Sequence, residues 1–169
     1  MSAAPGSHSP SSAPASQPDA DESEYLSLDR RRALHAFDWG ALACIAVALV
    51  YGLSWGAVNL QFGLIAVAVM GGWLIGAAIR RAAWRSVAHH PTRRLQLLGA
   101  SFGVVAWFGG AFVAYLISRA LLPGSDFSFA ERLADVTFGD YLNQQYEAGG
   151  LVHAISLAAM AIMGWRSAR

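Results

Sequence analysis

The sequence of 169 residues contains no lysine, so all 12 of its basic side chains are arginines. Its single cysteine, Cys44, excludes an internal disulfide and a cysteine-rich metal site. Charged residues make up 14% of the chain, whereas soluble domains average about 25%. Residues 39–79 contain no Asp, Glu, Lys or Arg at all. These absences exclude an ordinary water-soluble domain.

The long charge-free stretch indicates membrane-spanning helices. A helix needs about 20 apolar residues to cross the hydrocarbon core, so residues 39–79 provide two crossings, joined by an uncharged hairpin around Asn59 and Gln61. Two further apolar runs follow. The sequence therefore predicts an all-α, integral membrane four-helix transmembrane bundle, with helices at residues 33–53, 58–79, 95–121 and 149–165.

The segments outside the predicted crossings differ in composition. Residues 1–28 are rich in Ser, Ala and Pro, which predicts a disordered cytoplasmic tail before a transmembrane domain at 29–169. Residues 127–146 are too charged to cross, and we expect a short external amphipathic helix there. Its start is marked by Ser128 and Glu131, which have the spacing of a capping box. Gly139 is expected to divide its first part from a second turn or two around Tyr141, Leu142 and Tyr146.

Arginine placement predicts the orientation of the chain. Three arginines precede the first crossing, two follow the last, and the first hairpin has none. Arginine-rich connections stay in the cytoplasm, so both termini are expected inside a plasma membrane. The use of arginine alone, with many Ala and Gly, favours a bacterial source. The connection between the second and third crossings carries five arginines that are candidates to bind anionic lipid headgroups: Arg80, Arg81, Arg85, Arg93 and Arg94.

Small residues recur at every fourth position of the predicted crossings, which places them on one face of each helix where another backbone can approach closely. We expect the first two helices to pair as a close hairpin through these faces. The same faces are candidates to bind a membrane-protein partner or a second copy of the chain. The candidate packing residues are Gly40, Cys44, Ala48, Gly52, Gly72, Gly76, Gly99, Gly103 and Gly110.

Few residues suggest chemistry. His153 is expected near the outer boundary as a hydrogen-bonded interfacial side chain, and His35 and Asp38 near the inner one. Polar groups at mid-depth are expected to be limited to Cys44, Ser101 and tryptophans. The two adjacent histidines at residues 89–90 have no nearby carboxylate or cysteine that could complete a zinc site. We predict no catalytic residue, no metal, no cofactor and no nucleic-acid partner.

One segment carries a family resemblance. Residues 62–76, followed by Arg80 and Arg81, form a glycine-rich apolar helix that ends in a basic stretch. This pattern resembles that of small uncharacterised bacterial multi-pass inner-membrane proteins, with residues 71–76 as the most similar piece. The resemblance covers about the middle third of the chain and implies a bacterial inner-membrane location, but no activity.

Three classes of function fit a four-helix membrane protein. A non-enzymatic scaffold or accessory subunit needs only helix faces that bind a partner. A small transporter or channel component needs polar groups at mid-depth. A membrane-embedded enzyme needs a nucleophile and base, or converging metal ligands, at one depth. Because the sequence offers the first requirement and not the others, it favours the scaffold or accessory subunit.

Overall fold

The computed structural model describes residues 18–57, 61–83, 93–121 and 128–169, with side chains from residue 33 onwards except at 61 and 62. The described residues form five helices and no strand. Their bounds are α1 Pro18–Gly56, α2 Gln61–Ala83, α3 Arg93–Ala120, α4 Phe129–Asp135 and α5 Phe138–Ser167.

Four of the helices are long and apolar enough to cross a membrane. The apolar spans are Ala33–Gly56, Gly63–Ala83, Arg93–Ala120 and Phe138–Ser167. A helix suits this environment because it satisfies its backbone hydrogen bonds internally. The described residues therefore confirm the all-α prediction, and they include the four long apolar helices expected of a multi-pass membrane protein.

The first helix begins earlier than predicted. Its helical backbone starts at Pro18, within the segment for which the sequence predicts disorder, while residues 1–17 lie outside the described residues. Proline suits the first position of a helix, where its missing N–H has no helical partner.

The four long helices form a bundle in which α2 and α3 are the closer diagonal pair and α1 and α5 the more distant one. α1 and α5 each pack against both α2 and α3, and α2 also contacts α3 across the centre. In the described part of the chain, the Cα atoms of α1 and α5 stay more than 8 Å apart. The core contains Trp107, Tyr51, Leu64, Ile75 and Met160. Large apolar side chains such as Met70 (71% exposed) and Leu151 (76% exposed) point outwards, as expected where lipid is the solvent.

The bundle has two distinct ends. The start of α1, the end of α2, the start of α3 and the end of α5 meet at one of them, which carries Arg80, Arg81, Arg93 and Arg94. We call this the basic end. The short helix α4 and the start of α5 lie at the opposite end, and we call this the α4 end.

The predicted external segment is arranged differently from the expectation. The capping box at Ser128 is confirmed: Glu131 N–H donates to the Ser128 hydroxyl, and Ser128 N–H donates to the Glu131 carboxylate at 2.7 Å. The segment is divided in two, as predicted, but not at Gly139. The break lies at Val136 and Thr137, where Thr137 caps α5 by accepting from Asp140 N–H at 3.2 Å.

The fourth crossing continues directly from this segment. α5 runs from Phe138 to Ser167, and its backbone departs from helical geometry at Gly149 (φ −160°, ψ 34°). The predicted start of the crossing at residue 149 therefore coincides with a bend inside one longer helix. The amphipathic segment and the crossing are joined without a loop.

Candidate functional site

The glycines of α2 and α3 face α5 in the basic half of the bundle. A Cβ added to either Gly72 or Gly103 would collide with the Met160 carbonyl oxygen. One added to Gly76 or Gly99 would collide with the Gly164 carbonyl oxygen. The last turns of α5 are thus wedged between α2 and α3, in backbone contact with both.

Gly164 completes this junction, and the sequence analysis did not select it. A Cβ at Gly164 would collide with the Gly99 carbonyl oxygen, so each glycine makes room for the backbone of the other. Ser167 lies one turn further on and donates to the Gly72 carbonyl oxygen at 3.4 Å as well as to its own helix. Small residues also recur with four-residue spacing at Ala154 and Ala158 of α5, but both are exposed. That spacing therefore marks a face of α5 that does not form the junction.

α1 packs against α2, as predicted, but most of its small-residue face lies against α3. A Cβ at Gly52 would lie 2.6 Å from the Gly110 carbonyl oxygen, and one at Gly110 would lie 3.1 Å from that of Ala48. Nearer the basic end, Gly40 accommodates the Phe102 ring, and the Cys44 thiol donates to the Phe102 carbonyl oxygen at 3.4 Å. The hairpin prediction paired the wrong faces because spacing identifies a face and not its neighbour.

A groove runs along the outer seam between α1 and α2. Its wider part, about 410 Å³, opens at the basic end, and a narrower part of about 270 Å³ continues towards the bundle's middle. Trp73 and Leu74 line both parts, so we treat them as one α1–α2 groove. The wider part is also lined by Trp39, Ala77, Ala78, Arg81 and Ala82, and the narrower part by Ala46, Val47, Val50, Val67, Met70 and Gly71.

A cluster of buried polar side chains lies in the α4 half of the bundle. Tyr51 of α1, Trp107 of α3, and His153 and Ser156 of α5 are each at most 4% exposed. The Tyr51 hydroxyl is directed towards Ser156 and Trp107. Nevertheless, the Tyr51 and Ser156 hydroxyls, the Trp107 indole N–H and the His153 Nδ1 have no hydrogen-bond partner among the described residues. We call these four residues the buried polar cluster.

The cluster adds buried polar side chains that the sequence did not single out. His153 is buried and stacked on Trp55, with ring centroids 4.2 Å apart, and its Nδ1 has no hydrogen-bond partner among the described residues, whereas the sequence predicts a hydrogen-bonded interfacial side chain. Ser156 of α5 and Tyr51 of α1 are further buried polar groups of the long helices. A buried polar group without a partner costs about 1–3 kcal/mol. Four in one place form an arrangement that packing alone does not require.

Above this cluster, Tyr115 of α3 holds α4 against the bundle. Its hydroxyl lies 3.0 Å from the Leu133 carbonyl oxygen and 2.8 Å from that of Val136, and it donates to both. These carbonyls belong to the last turn of α4 and to its C-cap, where helical partners are missing. The Tyr115 ring also packs against Tyr141 and Phe138 at the start of α5. A single side chain therefore links α3, α4 and α5.

The remaining ionisable candidates lie at the surface. The acids Glu131, Asp135, Asp140 and Glu147 are exposed, as are His35 and Asp38. Hydrogen bonds from Ser128 lower the pKa of the Glu131 carboxyl. No group of three His, Cys, Asp or Glu side chains within the described ranges is arranged to hold a metal ion. Arg85, Asp126 and the two histidines at 89–90 lie outside the described residues.

Comparison of the chain with protein-family models, with curated proteins and with solved structures finds no match. No relative therefore supplies an activity, a substrate or a partner, and the resemblance to bacterial inner-membrane proteins stays a prediction.

Proposed function

We propose that this chain is a non-enzymatic multi-pass protein of a bacterial plasma membrane, serving as a scaffold or accessory subunit for another membrane protein. The observation that best supports the proposal is the tight packing of α2, α3 and α5 in the basic half of the bundle. There the α5 backbone contacts both α2 and α3, at Gly72, Gly76, Gly99 and Gly103. This packing leaves no room between these helices for a solute to pass.

The small-residue faces are engaged within the chain, so a partner would bind a different surface. The outward faces of the crossings are apolar at every helix, with exposed side chains such as Leu42, Met70, Val105 and Ile162. Shape and van der Waals contact drive helix association in lipid. A partner helix packed on one of these faces would gain such contacts without disturbing the bundle.

Crosslinking in native membranes, followed by purification of the tagged chain and mass spectrometry, tests this proposal. One outward position on each helix is replaced by tryptophan: Leu42, Met70, Val105 or Ile162. We expect another membrane protein to be purified with the wild-type chain in stoichiometric yield. Only one of the four tryptophan variants should lose this protein, and that variant identifies the helix face that binds it. The melting temperature of each purified variant should match the wild type because these side chains lie outside the core. Purification of the wild-type chain without any stoichiometric protein would contradict the proposal.

The buried polar cluster favours a second candidate, a small transporter or channel component. Polar groups within membrane helices are costly and usually mark a pathway or a binding site. His153 is the titratable member of the cluster, and its Nδ1 has no partner within the part of the chain that the structure describes. Its position in the α4 half would place a substrate or proton site above the closed basic half, so transport would require α5 to move.

Flux measurements separate the two candidates. The purified chain is reconstituted into vesicles containing a pH-sensitive dye, and proton movement is followed after an imposed gradient. A scaffold gives the same trace as empty vesicles. A proton transporter gives a faster trace, which His153→Phe abolishes and Tyr146→Phe leaves unchanged, since Tyr146 is 42% exposed and outside the cluster.

A further inference from the structure

The α1–α2 groove has the dimensions of one membrane leaflet. Its residues in α2 extend from Val67 to the level of Arg81, which is fourteen steps of about 1.5 Å, or about 21 Å along the helix. Half of the hydrocarbon core is about 15 Å thick, and one leaflet with its headgroups is about 20–22 Å. The groove therefore begins near the middle of a bilayer and ends at the headgroup level of the leaflet at the basic end.

The lining of the groove changes in character along this length. The narrower part is lined by apolar residues only, including Val47, Val50 and Val67. The wider part ends at Trp39 and Arg81, which are both exposed. These two residues lie at similar depth, because Gly40, next to Trp39, faces Ile79 of α2. Tryptophan and arginine are the side chains typical of the headgroup region.

The positive charge of Arg81 at the open end of the groove favours some possible ligands over others. No ion pair joins Arg81 to an acid within the described residues. A second copy of the chain would bring its own basic end to the same depth, and repulsion between arginines would oppose it. An apolar partner helix would leave the Arg81 guanidinium without a counter-charge. A phosphate at the groove's open end supplies this charge, and an acyl chain fills the apolar remainder.

We infer that the α1–α2 groove binds one anionic phospholipid, with an acyl chain between α1 and α2 and the phosphate at Arg81 and Trp39. This site goes beyond the scaffold proposal and does not depend on it. The bound lipid would form part of the outer surface of the bundle. It would also make the surface of α1 and α2 dependent on the composition of that leaflet.

Native mass spectrometry of the full chain in detergent tests this inference. The probes are phosphatidylglycerol and phosphatidylcholine with identical acyl chains. We expect one phosphatidylglycerol per chain, bound about five-fold more tightly than phosphatidylcholine, since a basic residue near an anionic headgroup gives about this factor. Arg81→Gln should remove the difference between the two lipids. Ala78→Trp, which fills the wider part of the groove, should weaken both lipids.

Arg166→Gln is the matched control, because Arg166 is an exposed arginine of α5 at the same end but outside the groove. It should retain the preference for phosphatidylglycerol. The lipid-free melting temperature of each variant identifies any that fails to fold, and Leu74→Phe then replaces Ala78→Trp. Equal affinity of the wild type for both lipids would overturn the inference. So would equal losses in Arg81→Gln and Arg166→Gln, or a lipid-free dimer that Ala78→Trp dissociates.

Discussion

Gly164 is the residue at which three helices come into backbone contact. Its own Cα faces the Gly99 carbonyl of α3, while its carbonyl oxygen faces Gly76 of α2 and Gly99. In lipid there is no hydrophobic force between helices, so stability depends on such close packing. The residue is thus important because it has no side chain.

We predict that Gly164→Val destabilises the bundle. The added side chain would force the α3 and α5 backbones apart, and overpacking of this kind costs about 1–3 kcal/mol. The melting temperature of the purified protein in detergent, followed by tryptophan fluorescence, should fall. The matched control is Gly139→Ala, whose Cβ would meet only the Thr137 Oγ1, at 3.8 Å. A wild-type melting temperature for Gly164→Val would show that the junction is not tightly packed.

The Tyr115 hydroxyl provides a second prediction at this scale. Tyr115→Phe removes both hydrogen bonds to the C-terminal carbonyls of α4 and keeps the ring contacts. A hydrogen bond contributes about 0.5–1.5 kcal/mol, so α4 should open more often while the long helices remain folded. Hydrogen–deuterium exchange should become faster in α4 (Phe129–Asp135) and stay unchanged in α3. If exchange in α4 is unaffected, other contacts hold this helix in place. Tyr146→Phe is the control.

At the scale of elements, α4 has a pH dependence that follows from its capping box. Hydrogen bonds from the Ser128 hydroxyl and backbone N–H lower the pKa of Glu131 in the folded state. The unfolded pKa is therefore the higher of the two. The stabilisation by the carboxylate is fully present above the unfolded pKa and is lost as the pH falls through the lowered folded pKa.

We expect α4 to exchange its amide protons faster in acid, relative to the bundle, than at neutral pH. The measurement is hydrogen exchange across this pH range, corrected for the intrinsic rate. Glu131→Gln keeps an acceptor at the same position but does not titrate, so its α4 should show no such change with pH. A wild-type chain that behaves like Glu131→Gln would exclude the carboxylate as the cause.

Local signals in the sequence predicted the elements better than their junctions. Ser128 and Glu131 lie three residues apart, so their mutual capping can be recognised without knowledge of the fold. Thr137 and Asp140 have the same spacing and make the corresponding bond, and this pattern could have located the start of α5. The division of the segment was predicted at Gly139 instead. Gly139 lies within the first turn of α5, where its neighbours hold it in a helix.

At the scale of the whole molecule, helix pairing was the least predictable feature. Small residues at Gly52 or Gly72 define a face, but the sequence does not state which helix occupies it. The buried polar cluster was missed for the same reason. Tyr51, Trp107 and Ser156 belong to three helices, and only the packing of these helices brings the side chains together.

Orientation across the membrane is a prediction for the whole chain. Cys44 is buried and makes one weak hydrogen bond, so Cys44→Ala should give a folded, cysteine-free background. In it, Ala134→Cys at α4 should react with a membrane-impermeant maleimide in intact cells. Arg169→Cys at the basic end should react only after permeabilisation. The reverse pattern would place the arginines outside and contradict the proposed topology.

The wedge formed by the end of α5 has a consequence for biosynthesis. Of the four crossings, α5 leaves the ribosome last, and until then the glycines of α2 and α3 that receive it have no neighbour. A nascent chain that has inserted only α1, α2 and α3 therefore exposes the glycine faces of α2 and α3 to the lipid. Membrane insertases and quality-control proteases would meet this intermediate in every round of synthesis, and arrest of translation before Met160 should make it accumulate.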